Sequence, residues 1–407
     1  MKILEINKFN YRKGGTESHF LELVQLLKSH GHEVAVFSME NKKNDFSPWK
    51  KYFVSYVGYN KGDTLIQKIN GLCRMFYSIE ARQKIKKLLN DFQPDIVHIH
   101  NIYHQISPSI LTEIKKRGIP IVMTVHDYKI ISPNYLMTWP DGTLQKPSEL
   151  TFWNFVLGKG FKNSYRDSLL VFLETQWHRW LKIYEKNIDL YISPSNFAKE
   201  KLVAGGIPEN KITVLPHFFP ENKYSEKMAI DIPERYVFYF GRLAKNKGVE
   251  EVIEIFKNRK NCRLYMAGEK EADLEIPKTE NIKYLGWLRE RELDRYIKNS
   301  LFVVSTSRLP EVFGLVALES IKNGKPFVAY NSGAYSEIIT HNRNGFLGQT
   351  KAELQSFIDT LEEDEGLRIL FSRNALKDAD NFKADNYYKK LTKIFEKLKG
   401  LDFSNKG

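Results

Sequence analysis

The sequence predicts an α/β protein made of two doubly wound domains, each a parallel sheet covered by helices. Short β-branched or apolar runs recur along the chain, and helical patterns separate them, as in successive parallel α/β units. The length of 407 residues suits two domains better than one. The alternation restarts after a polar stretch at 218–235, which we interpret as a linker. We therefore expect a first domain over 1–217 and a second over 236–407.

The expected strands are short and lie at regular intervals. In the first domain they are KILEIN, EVAVFSM, DIVHIH, IVMTVHD, LYISPS and ITVLPH. In the second domain they are YVFYFGR, CRLYMAG, IKYLGW, LFVVSTS, PFVAYN and GFLG. Because ligands of such sheets bind beyond the carboxyl ends of the strands, we expect the site in a cleft that the two domains face. The last helix of the second domain can also pack back on the first domain.

The composition is that of a folded, reduced protein. With 42% hydrophobic and 13% aromatic residues, the chain has ample material for a core, which excludes a disordered protein. Cys73 and Cys262 are far apart in sequence and form neither a disulfide framework nor a zinc-ligand pattern. Residues 1–10 lack the features of a signal peptide, and no apolar run reaches the length of a spanning helix. These features predict a cytoplasmic protein that at most lies peripherally on the inner face of a membrane.

The net charge of +13 has two interpretations. The basic residues are spread along the chain, as in KIKKLL and IKKRG, which is typical of solvated helix faces. The alternative is attraction to an anionic partner, such as a phosphorylated substrate, an acidic lipid or a nucleic acid. No motif that reads nucleic acid accompanies the charge, so we expect no nucleic-acid partner.

The segment from Asn134 to Tyr184, here called the insertion, does not fit the alternation. It is rich in aromatic and basic residues, as in TFWNFVLGKGF and FLETQWHRWLKIYEK, and it is too long for an ordinary strand connection. One interpretation is a helical lid packed on the sheet. The other is an acceptor site or a membrane-facing surface, because tryptophan, phenylalanine and lysine together suit an interface.

Three motifs of the first domain stand at strand ends or helix starts. Gly14 and Gly15, in KGGTES, follow the first strand, where backbone amides at a helix start can bind a phosphate; a tight turn is the alternative. His126, in TVHDY, ends a strand and is placed for a ligand, although a lone histidine is more often structural. His98 and His100 share one face of a strand. No third ligand stands at a supporting spacing, so we favour packing or a ligand contact over a metal site.

A cationic motif of the second domain follows its first strand. In YVFYFGRLAKNKG, Gly241 and Arg242 end the strand, and Lys247 precedes the next helix. Two cations beside a helix amino terminus make a site for a diphosphate. Two exposed charges in a loop are the alternative.

Two carboxylates flank a helix start further along the second domain. In PEVFGLVALESIK, Glu311 lies just before the helix and Glu319 about two turns into it, so they can address different parts of one extended ligand. A merely solvated Glu319 is the less attractive interpretation, because a carboxylate among buried neighbours needs partners. The neighbours expected to be buried are Val316, Ala317, Leu318 and Ile321.

In this order the motifs make the sequence recognisable. It resembles the family 4 glycosyltransferases of the GT-B type, which have two Rossmann-like domains, over nearly its whole length. The resemblance rests on GGTE at 14–17, TVHDY at 124–128, SPSNFAKEKLVAGGIPENKITVLP at 193–216, GRLAKNKG at 241–248 and EVFGLVALE at 311–319. It implies that a nucleotide-diphosphate sugar binds mainly to the second domain, and that the sugar is transferred with retention of anomeric configuration. It also implies that no metal ion or other cofactor takes part.

The resemblance further implies the roles of the catalytic residues. Arg242 and Lys247 would neutralise the leaving diphosphate in place of a metal ion. His126 would contact the transferred sugar, and Glu311 would hold its hydroxyl groups. Gly15 would offer its amide to the same phosphates from the first domain.

The remaining donor contacts are implied in the same way. Glu319 would hold the ribose hydroxyls, and the base would lie near Gly286 and Trp287 in the YLGW turn. Gly14 and Gly241 belong to the same implied donor site. Backbone amides at the helix start would face the sugar and the diphosphate, namely those of Phe313, Gly314, Leu315 and Val316.

The chain departs from the family pattern in three places. Ala334 stands where many members have a second glycine, and His217 and Phe218 stand where many have Asn-Gly. The family pattern therefore does not define the acceptor and sugar pocket of this chain. The insertion also lacks the cysteines that similar members often carry, which argues against a metal-bound lid.

The sequence therefore predicts a retaining, metal-independent glycosyltransferase. It would move a hexose-like sugar from a nucleotide sugar, with a UDP-sugar favoured, to a saccharide or lipid-linked saccharide in polysaccharide or glycolipid biosynthesis. One alternative is an epimerase or phosphorylase, because the fold alone does not separate these reactions. The others are a nucleic-acid-binding protein and an inactive sugar-nucleotide sensor, the latter disfavoured because every charged residue of the family pattern is present.

Overall fold

The computed structural model describes residues 1–58, 65–220, 235–260 and 262–400. These residues form two compact units. The first comprises Met1–Pro220 together with the C-terminal helix Ala384–Lys399, and the second ends at Lys383. The segment predicted as a linker, 218–235, lies largely outside the described residues, which stop at Pro220 and resume at Arg235.

The first unit is built on a parallel sheet. Its strands are β1 Lys2–Ile6, β2 Glu33–Phe37, β3 Ile96–Ile99, β4 Ile121–Thr124, β5 Leu190–Ser193 and β6 Ile212–Val214, in the order β2-β1-β3-β4-β5-β6. Its helices are α1 Gly15–Ser29, α2 Leu65–Phe76, α3 Ile79–Phe92, α4 Tyr103–Ile106, α5 Ile110–Lys115, α6 Tyr165–Trp180, α7 Ile183–Asn187 and α8 Asn196–Ala204. Strands β3 and β4 are buried over their whole length, as expected for parallel strands covered on both faces.

The second unit repeats this plan. Its strands are β7 Tyr236–Phe240, β8 Arg263–Ala267, β9 Ile282–Tyr284, β10 Val303–Ser305, β11 Phe327–Tyr330 and β12 Gly345–Gly348, in the order β12-β11-β10-β7-β8-β9. Its helices are α9 Val249–Phe256, α10 Glu290–Asn299, α11 Leu315–Lys322, α12 Lys351–Glu363 and α13 Glu365–Ala379. Every predicted strand is present, and the predicted class of two doubly wound α/β domains is confirmed.

The helices bury faces that their sequences dictate. In α9, Val249, Val252, Ile253 and Phe256 recur at helical spacing and join the core beside the strands. The strand pairs in this unit are all parallel, so the carboxyl ends of β7 and its neighbours β8 and β10 meet at one edge. Loops that follow these strands therefore come together.

The C-terminal helix α14, Ala384–Lys399, belongs to the first unit. Its buried residues Tyr387, Leu391, Phe395 and Leu398 lie three to four positions apart and join the core that includes Phe20 of α1. The second unit accordingly ends before α14 and does not extend to the end of the chain.

The insertion has a hydrophobic cluster of its own. Phe155, Val156, Val171 and Phe172 pack with Met75 of α2. Within the insertion, α6 also contacts the π-helical turn Trp153–Leu157. In this cluster the insertion packs on helix α2, whereas the lid interpretation predicts packing on the sheet. Among the described residues, no helix combines the length and apolarity needed to cross a bilayer.

Candidate active site

The site predicted in the second unit begins at the carboxyl ends of the adjacent strands β7 and β10. Gly241 and Arg242 follow β7, and the turn Lys245–Lys247 leads through Gly248 into α9. The Thr306 hydroxyl, just after β10, donates to the Gly248 carbonyl at 2.7 Å. This hydrogen bond ties the loop that carries Lys247 to the loop that leads to Glu311.

Lys247 and Glu311 form an ion pair across these two loops. Their side chains are 24% and 19% exposed, so the pair is shielded from most solvent screening. The Ser307 hydroxyl donates to the same Glu311 oxygen, Oε1, at 3.2 Å. The Tyr239 hydroxyl donates to the Lys247 carbonyl at 3.1 Å. The lysine is therefore held at both its backbone and its ammonium group.

The negative charge of Glu311 affects the pKa of two buried tyrosines. Burial raises the pKa of Tyr335, and Glu311 raises it further. Burial also raises the pKa of Tyr239, with Glu311 adding to the rise and Arg242 opposing it. Both phenols thus stay protonated, and Tyr239 keeps its hydroxyl proton for the Lys247 carbonyl.

Helix α11 starts directly beside this ion pair. Gly314 caps it with a φ of 98°, a conformation that favours glycine, and a methyl group there would lie 2.7 Å from the Tyr335 ring. As the first residues of α11, Leu315 and Val316 have amides without acceptors inside the helix. A methyl group on Gly241 would lie 3.7 Å from Val316, so the helix start and the end of β7 are neighbours. Phe313, which precedes Gly314, is buried.

The position of Glu319 differs from the prediction. The helix begins at Leu315, later than expected, so Glu319 is about one turn into it and not two. Its neighbours Ala317, Leu318 and Ile321 are buried as expected, but Val316 is only partly buried because it lies in the first turn, at the edge of the sheet. Glu319 is itself partly buried.

The other predicted residues of the second unit lie along the same edge. Arg242 is exposed, with a guanidinium nitrogen 3.5 Å from Asn246 Oδ1. Gly286 and Trp287 follow β9, which is separated from β7 by β8. The Gly286 carbonyl accepts from the Gly268 amide at 2.8 Å, and Trp287 is 59% exposed. These residues thus extend the edge outward from the ion pair.

Ala334, one of the departures from the family pattern, supports Glu311 directly. It is buried, and its amide donates to the Glu311 carbonyl at 2.9 Å. The backbone of the preceding Gly333 packs against that of Glu311 so closely that a methyl group there would lie 2.2 Å from the Glu311 nitrogen. The backbone of residues 333–334 therefore packs on and hydrogen-bonds that of Glu311.

The residues predicted in the first unit lie at the start of α1 and after the end of β4. Gly14 caps α1 and Gly15 begins it, both exposed, so their amides lie at a free helix amino end. His126 lies just after β4 and is partly buried. Its Nε2 lies 2.8 Å from Nδ1 of His100.

A buried carboxylate, which the sequence analysis missed, joins the strand histidines. Glu5 of β1 contacts His98 Nδ1 at 3.1 Å through Oε1 and His100 Nε2 at 3.0 Å through Oε2. His98 Nε2 in turn lies 2.7 Å from the Thr124 hydroxyl. Glu5, His98 and His100 are completely buried, and their ligand atoms lie within 4.8 Å of one another, a geometry that could also hold a metal ion. The available signal was a glutamate inside the apolar run KILEIN, since a charge in a buried strand needs partners.

Further imidazoles surround His126. The His217 ring stacks on it with centroids 5.0 Å apart, and His19 lies 4.0 Å from His217. Burial lowers the pKa of His126, and His217 and His98 lower it further. Burial likewise lowers the pKa of His217 to about 3. These imidazoles are therefore neutral at physiological pH.

The insertion adds a buried ion pair to the first unit. Glu174 of α6 is 1% exposed, and its Oε2 accepts from Lys129 at 2.9 Å. The same oxygen lies 2.8 Å from His104 Nε2. Burial raises the pKa of Glu174, but Lys129 and His104 outweigh it and lower the pKa to about 2. The charged pair anchors α6 to the loop that follows His126.

The outer face of the insertion is apolar and exposed. Leu169, Leu173, Trp177 and Trp180 recur along one face of α6, and Trp177 and Trp180 are 42% and 74% exposed. Trp153, in the π-helical turn that precedes α6, is 70% exposed. Basic residues in α6 and next to it in sequence are also exposed, namely Lys162, Arg166 and Lys182, whereas the Arg179 guanidinium donates to the Ile131 carbonyl at 2.8 Å.

Comparison with known families accounts for both units. A family described as "Glycosyltransferase Family 4" matches residues 13–222, about half of the chain. A second family, "Glycosyl transferases group 1", matches residues 220–378. The chain belongs to glycosyltransferase family 4. It is accordingly an enzyme that transfers sugars, and its two parallel-sheet domains are of the GT-B type.

Relatives of this family 4 glycosyltransferase come from several organisms. An uncharacterized 42.6 kDa protein in the cps region of Klebsiella pneumoniae is 23% identical over 91% of this chain and 96% of its own length. The Campylobacter jejuni N,N'-diacetylbacillosaminyl-diphospho-undecaprenol alpha-1,3-N-acetylgalactosaminyltransferase is 28% identical over 47% of this chain and 56% of its own length. The crystal structure of Anabaena HepE in complex with UDP-glucose shares the fold, with a TM-score of 0.66, 18% identity, and coverage of 98% of this chain and 100% of HepE.

Proposed function

We propose that the protein transfers a hexose-like sugar from a UDP-sugar to a saccharide acceptor, with retention of anomeric configuration and without a metal ion. The observation that carries the proposal is the Lys247–Glu311 ion pair beside the start of α11. A cation, a carboxylate and the free amides of Leu315 and Val316 stand together at the carboxyl edge of a parallel sheet. This combination suits a ligand that carries both phosphates and hydroxyl groups.

The diphosphate is assigned to the cationic side of this edge. Lys247 and Arg242 supply positive charge, and the amino end of α11 adds its partial positive charge. Charge that develops on the leaving diphosphate is stabilised most by groups that are already positioned. The hold of Tyr239 and Glu311 on Lys247 provides such positioning.

The two carboxylates are assigned to the two sugars of the donor. Glu311 holds hydroxyl groups of the transferred sugar, and Glu319, one turn into α11, holds the ribose hydroxyls. Gly286 and Trp287 lie near the base, where the exposed indole offers a stacking surface. In the first unit, Gly15 offers its amide to the diphosphate and His126 contacts the transferred sugar. Gly14 and Gly241 shape the backbone beside these groups.

The acceptor is proposed to be lipid-linked and to be reached at an acidic membrane surface in polysaccharide or glycolipid biosynthesis. The exposed apolar face of α6, together with the exposed basic residues in α6 and next to it in sequence, supports this, because such a face can enter the interface while the cations meet acidic headgroups. The Campylobacter jejuni relative is named for a diphospho-undecaprenol acceptor. Peripheral binding at the inner membrane face would bring the enzyme to its lipid-linked acceptor.

A screen of nucleotide sugars tests the proposed donor. The full chain is heated with UDP-, GDP- and ADP-sugars, since a ligand at about 100 times its dissociation constant adds roughly 2.7 kcal/mol to stability. We expect a UDP-sugar to raise the melting temperature most. A shift with GDP- or ADP-sugars alone would replace UDP in the proposal, and no shift with any of them would refute the donor site.

A further inference from the structure

The hydrogen bonds around Glu5 have a fixed direction. An ionised carboxylate only accepts hydrogen bonds, so each imidazole nitrogen that faces it must carry a proton. His98 Nδ1 faces Oε1 and His100 Nε2 faces Oε2, at 3.1 and 3.0 Å. Both histidines are completely buried, and so is Glu5, so water does not compete for these bonds.

The positions of these two protons determine the hydrogen-bonding role of the nitrogen that contacts His126. A neutral imidazole carries one proton, so His100 Nδ1 is left as an acceptor. His126 Nε2, 2.8 Å from His100 Nδ1, must then be the donor. The Thr124 hydroxyl, 2.7 Å from His98 Nε2, can either donate or accept and does not constrain the direction.

The charge state of the histidines agrees with this direction. Burial lowers the pKa of His100, and the neighbouring imidazoles of His98 and His126 lower it further. The pKa of His126 is lowered by burial, then by His217 and His98, with Lys8 adding to the effect. Both rings are therefore neutral, and each has a single proton to place.

We infer that Glu5, acting through His100, fixes the proton of His126 on Nε2 and leaves Nδ1 as a hydrogen-bond acceptor for a hydroxyl group of the sugar. Glu5 and His100 are positioning residues in this scheme, and His126 is the group that touches the substrate. The inference rests on the proposed function, because the substrate is the transferred sugar. It deepens that function by stating what His126 recognises, which is a hydroxyl donor and not an anion.

The inference separates this cluster from a metal site. A metal ion bound by Glu5, His98 and His100 would replace the two protons that face the carboxylate, since a metal-bound nitrogen carries none. His100 would still be neutral, but its proton would lie on Nδ1 and would be donated to His126. The proton of His126 would then move to Nδ1, the reverse of the arrangement inferred here.

Nitrogen NMR of the histidine-labelled full chain tests the inference without donor or acceptor, so it is independent of whether the proposed reaction is correct. Resonances are assigned by single histidine replacements. We expect protons on Nδ1 of His98, Nε2 of His100 and Nε2 of His126. A His126 proton on Nδ1 would overturn the inference. So would stoichiometric zinc whose removal changes these three resonances.

Two variants of Glu5 test its control over His126. Glu5→Met keeps the length of the side chain but removes the acceptor, so we expect His126 to become a mixture of tautomers and sugar transfer to slow about 10- to 100-fold, with UDP affinity unchanged. Glu5→Gln keeps a hydrogen-bonding side chain, and serves if the methionine variant fails to fold. Its amide must donate to one imidazole nitrogen. We expect that nitrogen to be His98 Nδ1, because the Thr124 hydroxyl can then accept from His98 Nε2. We therefore expect His98 to change tautomer and His126 to keep Nε2–H.

The matched control is Tyr388→Phe. It removes a hydroxyl that lies 2.8 Å from His32 Nε2, a histidine of the same unit outside this cluster. We expect neither the His126 tautomer nor sugar transfer to change. If His126 keeps a single tautomer in Glu5→Met, or if no imidazole changes tautomer in Glu5→Gln, Glu5 does not set the proton and the inference is wrong.

Discussion

Lys247 is restrained at two points by residues from different parts of the second unit. Tyr239 of β7 binds its carbonyl, and Glu311, which follows β10, binds its ammonium group. Groups that are already positioned stabilise developing charge most effectively. The ion pair is therefore expected to matter for turnover, when charge develops on the leaving diphosphate, more than for binding of UDP itself.

Removing the cations tests the proposed phosphate contacts. We expect Lys247→Ala and Arg242→Ala each to slow turnover by roughly 10²- to 10³-fold, because each removes a group that stabilises developing charge. Release of UDP measures turnover. Lys245→Ala is the matched control, since this neighbouring lysine is 51% exposed and pairs with Asp273. Equal rates for the three variants would contradict the assignment.

The buried Glu174 makes a prediction about stability. Glu174→Gln leaves Lys129 buried without a counter-charge, so we expect a loss of about 3 kcal/mol, measured by urea unfolding followed by tryptophan fluorescence. The folded pKa is lowered from 4.5 to about 2, so the stabilisation is present above pH 4.5 and is lost as the pH falls towards 2. The variant should lack this pH dependence. Glu185→Gln, at a residue 59% exposed, should change neither quantity.

At the scale of helices and strands, short-range patterns were sufficient for most of the fold. β-branched and apolar runs bounded by turn residues predict each strand, because a strand covered on both faces must be apolar throughout. The start of α11 was harder to predict. The run EVFGLVALE continues without a break in polarity, and the helix begins only at Leu315 because Gly314 adopts a φ of 98°. A sequence pattern does not reveal which glycine takes a positive φ.

The exposed face of α6 makes a prediction about membranes. We expect the full chain to float with acidic vesicles at low salt, with about 1 kcal/mol of attraction per basic residue near the surface, and to float less with neutral vesicles. Trp177→Ser/Trp180→Ser should reduce recovery. Ile369→Ser/Leu370→Ser, which removes apolar residues of α13 that are 47% and 52% exposed, should not. Equal recovery with both lipids, or none, would leave α6 without a membrane role.

At the scale of the whole molecule, the site residues divide into those that the sequence could reveal and those that it could not. The resemblance named Lys247, Glu311 and His126 individually. It did not show that Lys247 and Glu311 touch, because they lie 64 residues apart and meet only through the order of the strands. Glu5 was missed for the same reason, since it meets His98 only because β1 pairs with β3. Strand order is a property of the folded sheet and not of any one segment.

Metal independence and retention are tested together on the intact enzyme. We expect UDP release to survive excess EDTA, because Lys247 and Arg242 occupy the role that a metal ion has in other transferases. Proton NMR of the first product should show the anomeric configuration of the donor. Complete loss of activity that Mg²⁺ restores would contradict the first expectation, and an inverted product would contradict the second.

The central claim is that the second unit holds the donor through two carboxylates with separate tasks. Calorimetric titration of UDP into the full chain tests it most directly. We expect Glu319→Ala to weaken UDP binding by roughly 1.5 to 3 kcal/mol, the contribution of a hydrogen bond to a charged group. We expect Glu311→Ala to bind UDP nearly as well as the unmodified chain while its turnover falls, because Glu311 holds the sugar that UDP lacks. Loss of UDP affinity in Glu311→Ala with normal affinity in Glu319→Ala would reverse the assignment, and normal binding and turnover in both would show that the carboxylates are structural.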